Sequence, residues 1–104
     1  MFAYKVTTNG RSVYAPVSGV VRYAIGKTTR RPKGCGPLAV FDTLNHAISF
    51  LVEQPSRFLS HEIFLCRIRK SHATRMWVAS GGSRSHLPKG TILADTVTPI
   101  QQVR

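Results

Sequence analysis

Acidic side chains are the scarcest chemistry in this sequence: four Asp and Glu in 104 residues, against fifteen Lys and Arg. Asp42, Glu53, Glu62 and Asp95 form no carboxylate pair, so hydrolysis of the glycosidase kind has no candidate acid and base. Cysteine is nearly as rare, with Cys35 and Cys66 alone. His46, His61, His72 and His86 do not combine with them at metal-ligand spacing, so no structural metal is expected. Without a secretion signal, a Cys35–Cys66 disulfide is not expected either. No apolar run approaches the ~20 residues of a membrane span, and the opening MFAYKVTTNG lacks a signal-peptide core. The expected location is the cytoplasm or nucleus, or the inside of a virion, rather than the secreted fraction. There is no internal repeat, no linker and no basic arm at either end, so residues 1–104 read as one basic globular domain.

What the chain has is positive charge on a folding composition. Hydrophobic residues make up 42% and aromatics 9%, which places it among proteins that bury a core rather than disordered ones. The net charge is +11 with histidine neutral, and ten of the fifteen cations are arginine. The halves share it evenly, +6 over residues 1–52 and +5 over residues 53–104. Such an excess favours polyanionic partners: nucleic acid, or an acidic protein surface.

The stretch from Leu38 to Lys70 organises the rest. Leu38–Phe41 is apolar and β-prone, and Asp42 or Thr43 supplies a helix N-cap. Leu44, Ala47, Ile48, Leu51 and Val52 recur at helical spacing, and Pro55 ends the helix near Gln54, which predicts one amphipathic helix over about 43–54. Around the helix, strands dominate. AYKVTT (3–8) and RSVYA (11–15) flank Asn9-Gly10, a strong hairpin signal. Residues 20–25, VVRYAI, predict a third strand, and the Gly/Pro-rich basic stretch 26–37 a loop. His61–Ser71 is the longest strand candidate. Its alternation passes from apolar on both faces to an Arg67-x-Arg69 edge, as expected of a central strand leaving the sheet. Residues 76–79, 91–97 and 100–103 supply further short strands, with a polar loop over 80–89. The expected fold is α+β, one helix packed on a mostly antiparallel sheet of five to six strands.

Few motifs survive a chemical reading. Gly26-Lys27-Thr28 matches the end of a P-loop, but Val21 stands where the first glycine belongs and Arg-Arg-Pro follows where a helix must start. Cys35 lies in a basic loop that would lower a thiol pKa, yet it needs a positioned base, for which His46 and His61 are the only candidates. Cys66 alternates with Phe64 and Ile68 as a small core residue. Two basic clusters remain. Arg22, Lys27, Arg30, Arg31 and Lys33 form one; Arg67, Arg69, Lys70 and Arg75 form the other. Tyr4, Tyr14, Tyr23 and Trp77 fall near them, as core residues or as stacking platforms.

Five short pieces resemble an uncharacterised group of small phage, giant-virus and bacterial α+β proteins. They are AYKV (3–6), RYAIGK (22–27), VFDTLNHAISF (40–50), IFLCRI (63–68) and LPKGTILADTV (87–97), in the same order along most of the chain. The resemblance implies an α+β architecture and a viral or phage-linked setting, and brings no catalytic residues. It also suggests an ADP-ribosyltransferase-like core, but no Arg/His, Ser-Thr-Ser and Glu set can be placed here. The expected function is therefore a non-enzymatic module, without cofactor, that contacts nucleic acid or another polyanion through the two basic clusters. The alternatives are a structural component of a larger assembly such as a virion, with virion or oligomer neighbours, and a small enzyme of unknown type.

Overall fold

Asn9 and Gly10 both take positive φ, 51° and 75°. That is the pair of left-handed residues a two-residue hairpin turn requires, and Asn-Gly is the sequence that accepts it. The turn joins β1, Phe2–Thr8, to β2, Arg11–Ser12, with Thr7 opposite Ser12 and Thr8 opposite Arg11. The computed structural model describes residues 1–13, 21–53, 60–77, 83–84 and 86–104. The expected extension of β2 through Tyr14 and Ala15 and the Pro55 helix stop lie outside these residues.

Of the expected strand over 20–25, Val20 lies outside the described residues and residues 21–25 take a reduced form. Arg22 makes a single antiparallel bridge with Arg11, and Ser12 N–H and Tyr23 N–H donate to the carbonyls of Val21 and Gly10 at 2.8 and 2.7 Å. The stretch expected as loop holds instead a short edge strand, β3, Thr29–Arg30.

β4, Leu38–Phe41, is buried at all four positions. Thr43 caps α1, Leu44–Glu53, by accepting the His46 N–H at its hydroxyl, 3.1 Å away. Ala47 and Phe50 are the buried residues of α1, and Phe50 meets Phe41 at a ring separation of 5.1 Å. Leu44, Ile48 and Leu51 pack at the border, but Val52 is 80% exposed. The inward stripe is thus centred on Ala47 and Phe50, and Val52 falls beyond its edge.

β5, Glu62–Lys70, behaves as its alternation predicts: Ile63 and Phe64 are both buried, whereas Arg67, Arg69 and Lys70 are exposed. Met76–Trp77 (β6) pairs with Ser83–Arg84 (β7) in a separate ribbon. The two strands expected near the end are one, β8, Thr91–Gln102. Pro99 would break a regular ladder, but β8 is bulged against β5 on either side of it, leaving Ile100 and Asp95 without opposite residues.

The result is α+β with one helix among the described residues and a six-stranded sheet in which every pairing is antiparallel. β1 pairs with β4 and β5, and β8 pairs with the same two, so four strands close into a ring. Val40, Cys66, Ala94 and Val97 are fully buried within this assembly. No described helix is long and apolar enough to cross a membrane.

Candidate nucleic-acid interface

β8 carries the geometry that joins the two basic clusters. Directly opposed residues in antiparallel strands point to the same side of the sheet. Arg30 of β3 lies opposite Thr96, and Arg69 of β5 lies opposite the same Thr96 from the other edge. One residue from each cluster therefore stands on one face, with Cα atoms two strand spacings apart, about 10 Å. Two residues along, Arg67 is opposite Thr98 and also opposite Phe2 of β1. Thr28 completes this second row, its hydroxyl 2.8 Å from the Thr98 hydroxyl. Arg30, Arg67, Arg69 and Thr28 are exposed and the two β8 threonines half-buried.

Phe2 changes the character of the face. It is 57% exposed, with the Arg67 guanidinium 5.8 Å from its ring centre. Tyr4, two residues on and so on the same side, is half-buried and stands opposite Leu65.

Thr28 also borders an open cleft of about 610 Å³ between the hairpin turn and residues 22–29. Arg11, Arg22 and Lys27 supply its cations, and no acidic residue is among the described residues that line it. Arg11 and Arg22 are directly opposed across their bridge.

The remaining candidates are dispersed. Arg31 is turned toward Asp95, at 3.6 Å, and lies 5.9 Å from the centre of the Trp77 ring, which Arg75 approaches at 5.6 Å. Lys33 is exposed in a turn, and Lys70, opposite Ala94, points to the other side from Arg69. Of the aromatics expected beside the clusters, Tyr23 is buried and holds the Lys5 ammonium 4.9 Å from its ring centre, so it offers no stacking face. Trp77 is half-buried between its two arginines, and Tyr14 lies outside the described residues.

Two of the four acids are engaged with other side chains. Glu62 accepts hydrogen bonds from the Thr7 hydroxyl and the Asn9 N–H, at 2.8 and 3.1 Å. Asp42 pairs with His46, which holds its carboxyl below the usual carboxylate range. Cys35 and Cys66 are free thiols, Cys35 half-buried and Cys66 in the core, where burial pushes its pKa up to about 11. Among the described residues no three His, Cys, Asp or Glu side chains gather as a metal site would need.

Sequence reasoning passed over Phe2, Thr28, Thr96, Thr98 and Arg11. The signal for the β8 pair was Thr96-x-Thr98, the same two-residue period as Arg67-x-Arg69, on a segment read as two strands, 91–97 and 100–103. Comparison with protein-family models, curated proteins and solved structures gives no match.

Proposed function

We propose that this chain is a non-enzymatic binding module that holds nucleic acid through phosphate contacts on the outer face of β3, β8 and β5. The observation that carries the reading is the shared register at Thr96, which puts Arg30 and Arg69 on one side of the sheet. Arg67 extends the row, and the cleft with Arg22 and Lys27 adjoins it at Thr28. Arginine forks suit phosphate oxygens, and threonine hydroxyls between them add donors without sequence readout. The charge balance points the same way, since the four acids are too few to neutralise fifteen cations.

The test is the salt dependence of binding to a labelled oligonucleotide. Each phosphate contact contributes about 0.7–0.9 to the slope of log K against log salt. The double variant Arg30→Gln, Arg69→Gln should lower that slope by about 1.4–1.8. Loss of both arginines with no change in slope, or no binding even at low salt, removes the proposal.

A further inference from the structure

We infer that the ligand of this face is a single-stranded nucleic acid, with a base stacked on Phe2 while Arg67, Arg69 and Arg30 hold the phosphates. The inference rests on the polyanion reading above and adds the strandedness of the partner. Charge alone does not require an aromatic ring on the surface; a duplex held by its phosphates needs only cations. Yet the β1 end of the arginine rows carries a phenylalanine that is 57% exposed and opposite Arg67. Burial would be the ordinary fate of such a side chain, and a base would cover it.

The exposed ring selects a single strand. Tyr4, the next aromatic on this side, is half-buried against the core, so Phe2 is the ring open to a base. Stacked bases in a duplex strand are separated by about 3.4 Å, which leaves no room for a side-chain ring between them. A base can therefore lie on Phe2 only after leaving its neighbour, which a single strand permits and a duplex does not. Arg67 ties the two functions together: its guanidinium lies 5.8 Å from the Phe2 ring centre and points from the same row as Thr98. A base on Phe2 would therefore have its own phosphate within reach of Arg67 and Arg69. Because any base has a π-face, this arrangement expects little sequence preference and accepts DNA and RNA alike.

The experiment compares labelled single-stranded DNA, single-stranded RNA and the corresponding duplex, by fluorescence anisotropy at one low salt concentration and then across salt. Wild type should bind both single strands more tightly than the duplex. Phe2→Ala and Phe2→Leu should each weaken single-strand binding roughly 5- to 100-fold while the salt slope and duplex affinity stay unchanged. Phe2→Tyr, which keeps the ring, should retain wild-type affinity. Phe2 is exposed, and unchanged Trp77 fluorescence will verify that the variants are folded. Equal binding of duplex and single strand, or a Phe2→Ala variant that binds the single strand as wild type does, overturns the inference and leaves the phosphate-binding reading standing. No binding of any of the three overturns both.

Discussion

Lys5 Nζ donates a 2.7 Å hydrogen bond to the carbonyl oxygen of Ala39, thirty-four residues away and inside the fold. Lys5 is 3% exposed, opposite Phe64 on the side of β1 that also carries Ala3 and Thr7. One carbonyl and the Tyr23 ring replace the water an ammonium would have, and the desolvation lowers its pKa from 10.5 to about 8. At 1.36 kcal/mol per pH unit, the charged form is disfavoured by about 3 kcal/mol.

The first prediction isolates that cost. Above pH 8 the unfolded chain keeps the lysine proton that the folded chain has lost, so stability gains with pH until the unfolded group titrates at 10.5. Lys5→Met has no such gain. Removing the ammonium relieves the burial cost at pH 7 but leaves the Ala39 carbonyl without its donor, so the variant should be more stable there by on the order of 1 kcal/mol. The difference should then swing by about 3 kcal/mol toward wild type between pH 7 and 10.5. Urea unfolding at several pH values measures it. A gap that does not change with pH would mean that Lys5 keeps its ordinary pKa in the folded chain.

Two acids bend the wild-type profile downward in the same range. Burial raises the Cys66 thiol from 9 to about 11 and raises Tyr23 as well, so the unfolded state releases these protons first. Each subtracts stability as pH rises past its unfolded value. Lys5 raises stability first, and Cys66 and then Tyr23 oppose it as the pH passes the unfolded value of each. The stability of wild type should therefore rise, level off and fall. Cys66→Ala should remove the plateau and carry the rise on to about pH 10, which the same unfolding series detects.

Gly36 is packed against the only tryptophan. Its N–H donates to the Trp77 carbonyl at 2.8 Å, and a Cβ at Gly36 would run into the Trp77 ring. Gly36→Ala should cost about 1–3 kcal/mol through overpacking and displace the indole from Arg31 and Arg75. The indole reports its own displacement: the fluorescence maximum should shift to the red in the folded variant, while an unmoved spectrum would show that the ring has room to give.

Local signals made much of this legible in advance. Asn9-Gly10 specified the turn, and the cap placed the start of α1 to within a residue, but the expected stripe counted exposed Val52 and missed buried Phe50. The change along β5 from apolar on both faces to half-exposed matched its burial, yet β5 stays paired with β8 through Lys70 and does not leave the sheet. Lys5 was not legible because alternation sorts β1 into two faces, Ala3, Lys5 and Thr7 against Tyr4 and Val6. The sorting does not say that ring closure covers the first. The shared face of the basic clusters was hidden for a related reason. It depends on Arg30 and Arg69 meeting at Thr96, pairings with no local trace in the sequence. Pro99 hid it further, since a proline accommodated at a bulge reads as the end of a strand.

Asp95 is the acid set among these arginines, and it gives a prediction of opposite sign. The β8 bulge leaves it without an opposite residue, next to Thr96, with Oδ1 buried and no hydrogen-bond partner among the described residues. Arg31 approaches at 3.6 Å, and both side chains are more than a third exposed, so the pair adds little to stability. Its effect on a polyanion is larger, because the carboxylate both repels phosphate and occupies an arginine. Asp95→Asn keeps the shape and removes the charge. Stability should stay within about 0.5 kcal/mol, while oligonucleotide affinity at low salt increases. The slope of log K against log salt should steepen by about 0.7–0.9 as Arg31 becomes free to contact one phosphate. Arg31→Gln made in the Asp95→Asn background should return the slope to its wild-type value. An Asp95→Asn variant that binds more weakly would place the polyanion elsewhere on the protein.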